Sequence, residues 1–581
     1  MFLVYGNSPM SIYKGQPVAI DIETTGVKWG DTMIGMSLAW RTVEGIKSCY
    51  LVPFMKDRLF QAEGVSIPDQ IITILFKNNV TVWHSLPFDY RGIFKEFQKS
   101  FDVQPPIVAH DIAHMARLSD FQDSNSLASL YEKYVGTPPA EWLAVKAKRN
   151  SLAKMNQEIV FRYAAFDAVA TLSVYEKLRD NLHITEDQYK QDIQFTNLVM
   201  KMIYRGLPVN QQFIGDRTTA FSKRMVEIAR DLAPVGVNNP DSTKQVAKYL
   251  GQFVGLGQGE RTKNGQLKTD VENLIPYMND PVVSKIVEFR QLSKAISSWF
   301  EDVTEMSKFD GKLHAFLYPF GTASYRMTSS DINVMAIPME ARKTAFGLRA
   351  FGAFKGMFTS DREDEEIYAI DIKQAEFRLG AMLAKENNIA KAFSSGIDPY
   401  VQMAIDTWND MARRQDAKRA ALASLYETGV TTFSKNNHVS MKEAEDVLYG
   451  FRNKYPNIKK ASKFYEGFVS RNGYVTLMDG RRRYFGPFDE TYKAFNQRVQ
   501  GSVATVMWPV MLRIEDAFPG RIINQIHDSI ELYLPKDEQK RKEITDPIRE
   551  WVEEAVPEKI RSMTDPRIPY PVDVVSWERD E

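Results

Sequence analysis

Cysteine is nearly absent. Cys49 stands alone in 581 residues, which excludes an intrachain disulfide and fits a reducing, cytoplasmic location. Long apolar runs are missing too: no stretch reaches the roughly 18 residues a membrane-spanning helix needs, so no membrane association is expected. The opening MFLVYGNSPM carries no basic segment ahead of its short apolar run, so no secretory signal is expected. There is no low-complexity tract and no internal repeat. Net charge is also lacking, because 74 basic residues balance 74 acidic ones. A zero sum argues weakly against a nucleic-acid partner, since phosphate binding needs a positive footprint. Local distribution outweighs the sum, however: bases gather in MARRQDAKRA (411–420) and MDGRRRYF (478–485), acids in SDREDEEI (360–367). The remaining composition is that of a globular protein, and the length is too great for a single core, implying about two to four domains.

The first chemical signal is PVAIDIETTG (17–26), which alternates as a half-buried strand and ends in a turn. Asp21 and Glu23, two apart, leave the same face. Carboxylates that close repel unless a cation lies between them, and hard divalent ions take such ligands. For an isolated pair, a solvated edge face is the readier explanation. VTVWHSLPFDYRGIF (80–94) reads as strand, turn and helix, with Asp89 at the helix head; alone, it would be an acid favoured by the helix dipole. IVFRYAAFDAVAT (159–171) is helical, with Tyr163 and Asp167 at i and i+4; alone, Tyr163 would be a core tyrosine with a wet tip. Together these acids can hold two metal ions astride a phosphodiester, with a tyrosine to orient the attacking water.

On these motifs, with HDIAHMARLSD (110–120) and SLASLYEKYVG (126–136), residues 17–180 resemble the 3′–5′ exonuclease domain of the RNase H-like superfamily, the DEDD kind carrying a tyrosine. The resemblance implies metal ligation by Asp21, Glu23, Asp89 and Asp167, with Tyr163 as the water-positioning catalytic residue. Ser85 departs from the pattern, where asparagine is usual.

A second set of motifs lies downstream. IYAIDIKQAEFRLGAMLA (367–384) is a strand-like run ending near Asp371, followed by Glu376 at the start of an amphipathic helix. Desolvation penalises an acid at the end of a buried strand; a metal ion or service as a helix N-cap would each account for it. RIINQIHDSIELYL (521–534) reads as a hairpin with Asp528 at or near its turn, although aspartate is a common turn former. The two carboxylates can meet if their strands neighbour in one sheet. Between them, RRQDAKRAALASLYETG (413–429) repeats Arg414, Lys418, Leu422 and Tyr426 every four residues, a stripe of roughly 18 Å along one helix face. Cations at one end and apolar groups at the other suit a nucleoside triphosphate; a solvated basic face running into a core face has the same pattern.

Taken together, these elements resemble DNA polymerase family A, the class typified by bacterial DNA polymerase I. Asp371 to Arg378 resembles the first palm motif, 413–429 the fingers motif and 525–529 the last palm motif. TASYRMTSSDINVMAIP (322–338) is similar to the segment ahead of the palm, EFRQLSKAISSWF (288–300) to the second long thumb helix, and NQRVQGSVATVM (496–507) to a palm helix with a DNA-reading glutamine. The implied fold class is α/β multidomain: an RNase H-like exonuclease domain (1–186), then a right-hand polymerase domain (187–581) with helical thumb and fingers and an antiparallel-sheet palm. Thumb is expected at about 187–320, palm at about 321–397 and 481–581, and fingers at about 398–480. The helical runs DQYKQDIQFTNLVMKMIYRGLPVN and DPVVSKIVEFRQLSKAISSWFEDVTEM, with a Gly/Asn-rich stretch between them (251–267), suggest a paired-helix arm; an ordinary bundle has the same periodicity.

The resemblance implies roles residue by residue. Asp371 and Asp528, with the carbonyl of Ile372, hold two Mg²⁺ ions, as the exonuclease acids hold two more; Mn²⁺ is an expected substitute. Arg414 and Lys418 grip the triphosphate, and Lys418 protonates the leaving group. Leu422 faces the sugar, Tyr426 lies near the templating base, and Glu376 excludes ribose, hydrogen-bonded to Tyr426. Arg326, Gln500 and Gln525 read the minor groove, and His527 contacts the primer end. The departures are Leu422 in place of an aromatic, Glu427 for glycine, Tyr400 for a phosphate-binding histidine, and Ser529 for an acid.

Expected partners are primer–template DNA and deoxyribonucleoside triphosphates, bound by a monomer, with a helicase or single-strand-binding protein as candidate accessories. From the motif order, no N-terminal flap nuclease is expected ahead of residue 21, and a phage-type replicative enzyme in the bacterial host cytoplasm is expected. A catalytically silent DNA-binding or processivity factor, or a polymerase reading RNA templates, are the alternatives. The retained metal-binding acids oppose the first, and Glu376 opposes ribonucleotide synthesis.

Overall fold

The structure is a computed structural model that describes residues 2–6, 9, 12–25, 33–53, 65–67, 80–97, 108–119, 124–252, 259–335, 337, 354–437 and 439–577. It forms two compact units. The first comprises residues 1–205, 316–329 and 368–575; the second, 206–315, 330–367 and 576–581.

In the first unit, seven strands build one sheet: β1 (Phe2–Gly6), β2 (Pro17–Thr24), β3 (Met33–Thr42), β4 (Gly45–Pro53), β5 (Val65–Ile67), β6 (Val80–Trp83) and β7 (Val108–Asp111), in the order β5-β1-β4-β3-β2-β6-β7. β2 pairs antiparallel with β3 but parallel with β6, and β6 pairs parallel with β7. The parallel ladder between β2 and β6 joins Pro17–Ala19 to Val80–Val82, so Asp21 and Glu23 lie past its carboxyl end, where sheets of this kind bind ligands. The helix Gln157–Leu178 starts on Asn156, whose side chain accepts from the Glu158 amide at 2.9 Å, a typical N-cap. It packs against β2, β3 and β4 through a buried stripe that includes Val160, Ala164, Ala168, Leu172 and Tyr175.

The same unit holds most of a four-stranded sheet in which the hairpin Ile522–Ile526/Ser529–Pro535 lies next to Glu365–Ile372, followed by Val572–Ser576. The expected neighbourhood of the strand ending near Asp371 and the hairpin tip is therefore realised. The helix Ala494–Ala517 packs against Ala375–Leu383 and Pro456–Asn472.

In the second unit, Gln211–Leu232 and Pro281–Ala295 run as a helix pair. Asp280 caps the latter by accepting from the Val282 and Val283 amides at 2.8 and 3.0 Å. Arg224 crosses to Glu288 with two hydrogen bonds of 2.7 and 3.0 Å, the bidentate geometry that suits a guanidinium. This corrects the pairing drawn from sequence. The run opening at Asp187 forms the helix Glu186–Arg205, which belongs to the first unit. It buries Phe195 beside Trp508 and Phe320, with ring centroids 5.5 and 5.7 Å away, and its end is fixed by an ion pair from Arg205 to Glu515. Of the Gly/Asn-rich stretch, 253–258 lie outside the described residues, as do 336 and 338 of the segment ahead of the palm motif. No helix among the described residues is long and apolar enough to cross a membrane.

Candidate active sites

At the end of β2, Asp21 and Glu23 meet Asp167 of the Gln157–Leu178 helix, with one carboxylate oxygen from each within 4.8 Å of the others. Asp89, in the first turn of the helix Leu86–Phe97, joins them. Its Oδ1 accepts from the Ile22 amide at 3.4 Å, while its buried Oδ2 has no hydrogen-bond partner among the described residues. Burial and mutual repulsion hold Asp21, Glu23 and Asp89 well above the usual carboxylate range.

 Burial likewise raises Asp167, to about 6, against the pull of Lys146 and against hydrogen bonds from Tyr163 and Trp142. Such a set of desolvated carboxylates, one with an unsatisfied oxygen, fits divalent cations of the magnesium type.

Tyr163 turns its hydroxyl onto Asp167, and burial beside these acids pushes its own ionisation far above the ordinary range. It is therefore a neutral donor. The sequence reading missed Trp142, whose Nε1–H donates to Asp167 Oδ1 at 2.7 Å. Asp111 was missed as well. It accepts from the Ser85 and Leu86 amides at 3.2 and 3.0 Å and so fixes the turn that delivers Asp89. Ser85 has φ = 70°, a left-handed conformation that asparagine adopts more readily than serine. The departure at this position carries a backbone cost, and Asp111 offsets part of it.

A pH-dependent prediction follows from the raised acids. The folded chain retains a proton on Asp167 that the unfolded chain has already released, so without metal, stability falls as the pH rises from about 4 to about 6. Asp167→Asn keeps the acceptor oxygen but removes the charge. In chelator, it is expected to melt a few °C above wild type at pH 7, with the gap closing below about pH 4. Added Mg²⁺ or Mn²⁺ should stabilise wild type more than the variant. Scanning calorimetry at both pH values checks this, and equal melting at pH 7 would sink it.

The second site gathers on the four-stranded sheet. Ile526 and Ser529 are register partners, so His527 and Asp528 form a two-residue turn, with His527 at φ = 56°. The Ile372 amide donates to the Asp528 carbonyl at 3.1 Å, which seats the hairpin tip beside the strand end that carries Asp371. Asp371 is not a helix N-cap: the cap of Ala375–Leu383 is Gln374, and it makes no side-chain capping bond. Asp528 is raised by burial and further by Glu376, against the pull of Arg326 and His527. An acid desolvated in this way, next to a second acid-bearing strand end, also fits a divalent cation.

Glu376 is gripped from both sides. Arg326 forms an ion pair with one oxygen, and Tyr426 donates its hydroxyl to the other. Gln500 in turn donates to the Tyr426 hydroxyl. Gln525 is 4% exposed, and its Nε2 donates to the His527 carbonyl at 3.1 Å. Arg326, Glu376, Tyr426, Gln500, Asp528 and His527 are thus brought together around one place.

The helix Arg414–Leu425 buries Ala417, Ala420, Ala421, Ser424 and Leu425, which leaves Lys418 and Leu422 exposed on its other face, with Tyr426 at its C-cap. No ion pair joins Lys418 to the acids among the described residues. Arg414 pairs with Asp398 at 2.7 Å and lies over the Tyr400 ring at 5.7 Å. Tyr400 is buried and stacked on Phe377 with centroids 6.1 Å apart, so its ring forms a floor under Arg414. Glu427 adopts φ = 53°, the left-handed region that a glycine would occupy without cost; its ion pair with Lys459 holds it there. Ser529 donates to Glu531 Oε1 at 2.8 Å, which places a buried carboxylate one step behind the position where an acid is usual.

Comparison with known proteins resolves the family. The model described as DNA polymerase family A matches residues 211–575. The chain belongs to DNA polymerase family A. Residues 8–183 of this family A chain match the model for 3′–5′ exonuclease. Among curated proteins, it is similar to DNA polymerase I of Treponema pallidum, 26% identical over 420 residues, covering 68% of this chain and 41% of that protein. DNA polymerase I of Geobacillus stearothermophilus is 24% identical over 487 residues, covering 78% of this chain and 52% of that one. The chain spans about half the length of the curated relatives it matches. A solved structure described as the POL domain of Pol1 from M. smegmatis in complex with DNA primer-template and dNTP shares the fold, with a TM-score of 0.73 at 17% identity over 97% of this chain and 96% of that one.

Proposed function

We propose that this family A chain is a DNA-directed DNA polymerase with 3′–5′ proofreading, acting in the cytoplasm on primer–template DNA and deoxyribonucleoside triphosphates. The observation that carries the reading is the joint at Glu376. Arg326 and Tyr426 converge on it from either side of the chain, and this ties the fingers-motif helix to the sheet that bears Asp371 and Asp528. We assign the exonuclease to 1–186 and the polymerase to 187–581, with the palm at about 321–397 and 481–581 and the fingers at about 398–480. The compact unit that includes 206–315 supports a thumb beginning near Gly206 rather than near residue 187.

Asp371, Asp528 and the Ile372 carbonyl would hold divalent cations in the polymerase site; Asp21, Glu23, Asp89 and Asp167 would hold them in the exonuclease site. Bound there, the cations would activate the attacking oxygen and neutralise charge on the leaving one. The side chains do the remaining work. Lys418, exposed and with no ion pair among the described residues, reaches the triphosphate and supplies a proton to the leaving pyrophosphate. Arg414 exchanges Asp398 for phosphate oxygens, a swap that preserves its charge-assisted bonding. Glu376, immobilised by Arg326 and Tyr426, presents a fixed carboxylate against the sugar C2′. Gln500, Gln525 and Arg326 supply donors to minor-groove acceptors, which vary little with sequence. In the exonuclease site, Tyr163 exchanges its bond to Asp167 for one to the attacking water.

The direct test is extension of a primed template by one complementary nucleotide, together with removal of a mismatched 3′ end when nucleotides are withheld. A folded protein that does neither would end the proposal.

Leu422 yields a finer prediction. It lies 37% exposed on the nucleotide-facing stripe and offers no hydroxyl near the sugar. Strong discrimination against 2′,3′-dideoxynucleotides is expected, because nothing at 422 replaces the hydrogen bond that a 3′-hydroxyl makes. Leu422→Tyr should relax that discrimination by roughly tenfold, the value of about one hydrogen bond. Competitive chain termination in an exonuclease-silenced background measures it. Equal termination by both proteins would mean that Leu422 does not face the sugar.

A further inference from the structure

The helix Pro456–Asn472 has two aromatic sides with different tasks. Its inner side packs Tyr465 on Phe495, with ring centroids 5.8 Å apart, and buries Val469 with Val475 and Ala494. Its outer side carries Phe464, which is 59% exposed. Packing needs explain the first set of rings but not the second.

Phe464 does not stand alone. It stacks towards Phe468 at 6.4 Å, Phe468 meets Tyr474 edge-on at 5.9 Å, and Tyr474 lies 5.7 Å from its hairpin partner Tyr484. The rings form a continuous ridge that runs from the helix onto the strand pair Tyr474–Thr476/Arg482–Tyr484. Arg482 lies over the Tyr474 ring at 4.5 Å. Lys463 and Arg471, both exposed, have no ion pair among the described residues, and the Arg471 guanidinium folds back to within 3.5 Å of where a Cβ on Gly467 would sit.

The acids nearby do not cancel this charge. Asp479 and Asp489 are neutralised by Arg481 and Arg483. Glu466 is two residues from both Phe464 and Phe468, so it leaves the opposite side of the helix, an i+3 neighbour of Lys463 and away from Arg471 on the ring side. A ridge of one exposed and three half-buried rings, flanked by Arg471 and Arg482 with no ion pair among the described residues, matches unpaired nucleic acid, whose bases offer π-faces for stacking and whose phosphates seek the cations.

We propose that this ridge is an accessory binding site for single-stranded DNA, separate from both catalytic centres. The inference rests on the reading of the chain as a DNA polymerase, and it extends that reading to a strand contact outside the reacting groups. The strand is either the unpaired template or a displaced strand, since both present the same bases and phosphates.

The test uses the full chain in metal-free buffer, so that no strand is cut. Fluorescence anisotropy compares three labelled DNAs: a flush-ended duplex, a duplex with an oligo(dT) template overhang, and a duplex with an oligo(dT) displaced flap. Phe464→Ala with Phe468→Ala should weaken binding of one or both tailed duplexes by about tenfold or more, leave the flush duplex unchanged, and melt as wild type does. Phe464→Tyr with Phe468→Tyr should keep wild-type affinity, because a phenol still stacks. The tail that loses affinity identifies the strand. Unchanged binding of both tails would overturn the site, as would an equal loss on all three DNAs. Self-association of wild type that the alanine variant abolishes, with tailed DNA binding unaltered, would assign the ridge to a second copy and overturn it too. Wild type that fails to bind even the flush duplex would refute the polymerase reading and the ridge with it.

Discussion

Asp371→Ala or Asp528→Ala abolishes primer extension, by about a thousandfold or more, and leaves excision of a 3′ nucleotide intact. Removing a single group that stabilises transition-state charge costs about 10²–10³ in rate, and these carboxylates would position the cations that carry that charge. Their place on the four-stranded sheet, with Ile372 bonded to the Asp528 carbonyl at 3.1 Å, gives them no part in the cluster of Asp21, Glu23 and Asp167. Asp21→Ala combined with Glu23→Ala produces the reverse outcome: extension continues and excision stops. Both activities are measured on one labelled primer–template, with and without nucleotides. A pair of changes that stops both in a folded protein would show that the two centres are not independent.

Glu376→Ala raises the efficiency of ribonucleotide relative to deoxyribonucleotide incorporation at least tenfold. The carboxylate is 16% exposed and held by Arg326 and by Tyr426, so it cannot swing away from an added 2′-hydroxyl. A single misfitting group costs about 1–3 kcal/mol in a shaped pocket, which sets the minimum expected. The same change strips a partner from Arg326 and from Tyr426, so the rate with deoxyribonucleotides should fall as well. Glu376→Gln is the informative companion. It keeps the bulk while weakening the ion pair, so it should slow the reaction yet retain most of the discrimination. The readout is the ratio of the two kcat/KM values for each protein with Mg²⁺. A ratio unchanged in the alanine variant would place the ribose gate elsewhere.

The departures from the family pattern also acquire physical meaning. Tyr400 stacks on Phe377 beneath Arg414, so where the family uses a histidine on phosphate, this chain supports an arginine instead. Glu427 occupies left-handed backbone and binds Lys459; a side-chain anchor substitutes for the freedom of glycine. Ser529 hands its hydrogen bond to Glu531, so negative charge is kept near the hairpin but drawn back from its tip.

What the sequence determined by itself was local. The two-residue spacing of Asp21 and Glu23, the i,i+4 pair Tyr163 and Asp167, the hairpin around His527 and Asp528, and the four-residue stripe from Arg414 to Tyr426 all follow from strand and helix periods. Those periods act within one element, so they can be read from neighbouring residues. Partner choice across the chain cannot be read this way. Arg326 and Tyr426 each lie fifty positions from the Glu376 they share, and only the folded arrangement makes one carboxylate the acceptor for both. Trp142 reaches Asp167 for the same reason: a buried carboxylate takes whichever donor the packing brings near. The helix Glu186–Arg205 reads as half of a paired arm because its period is regular. It folds with the first unit because Phe195 finds Trp508 and Phe320 there, and periodicity says that a face will be buried without saying against what.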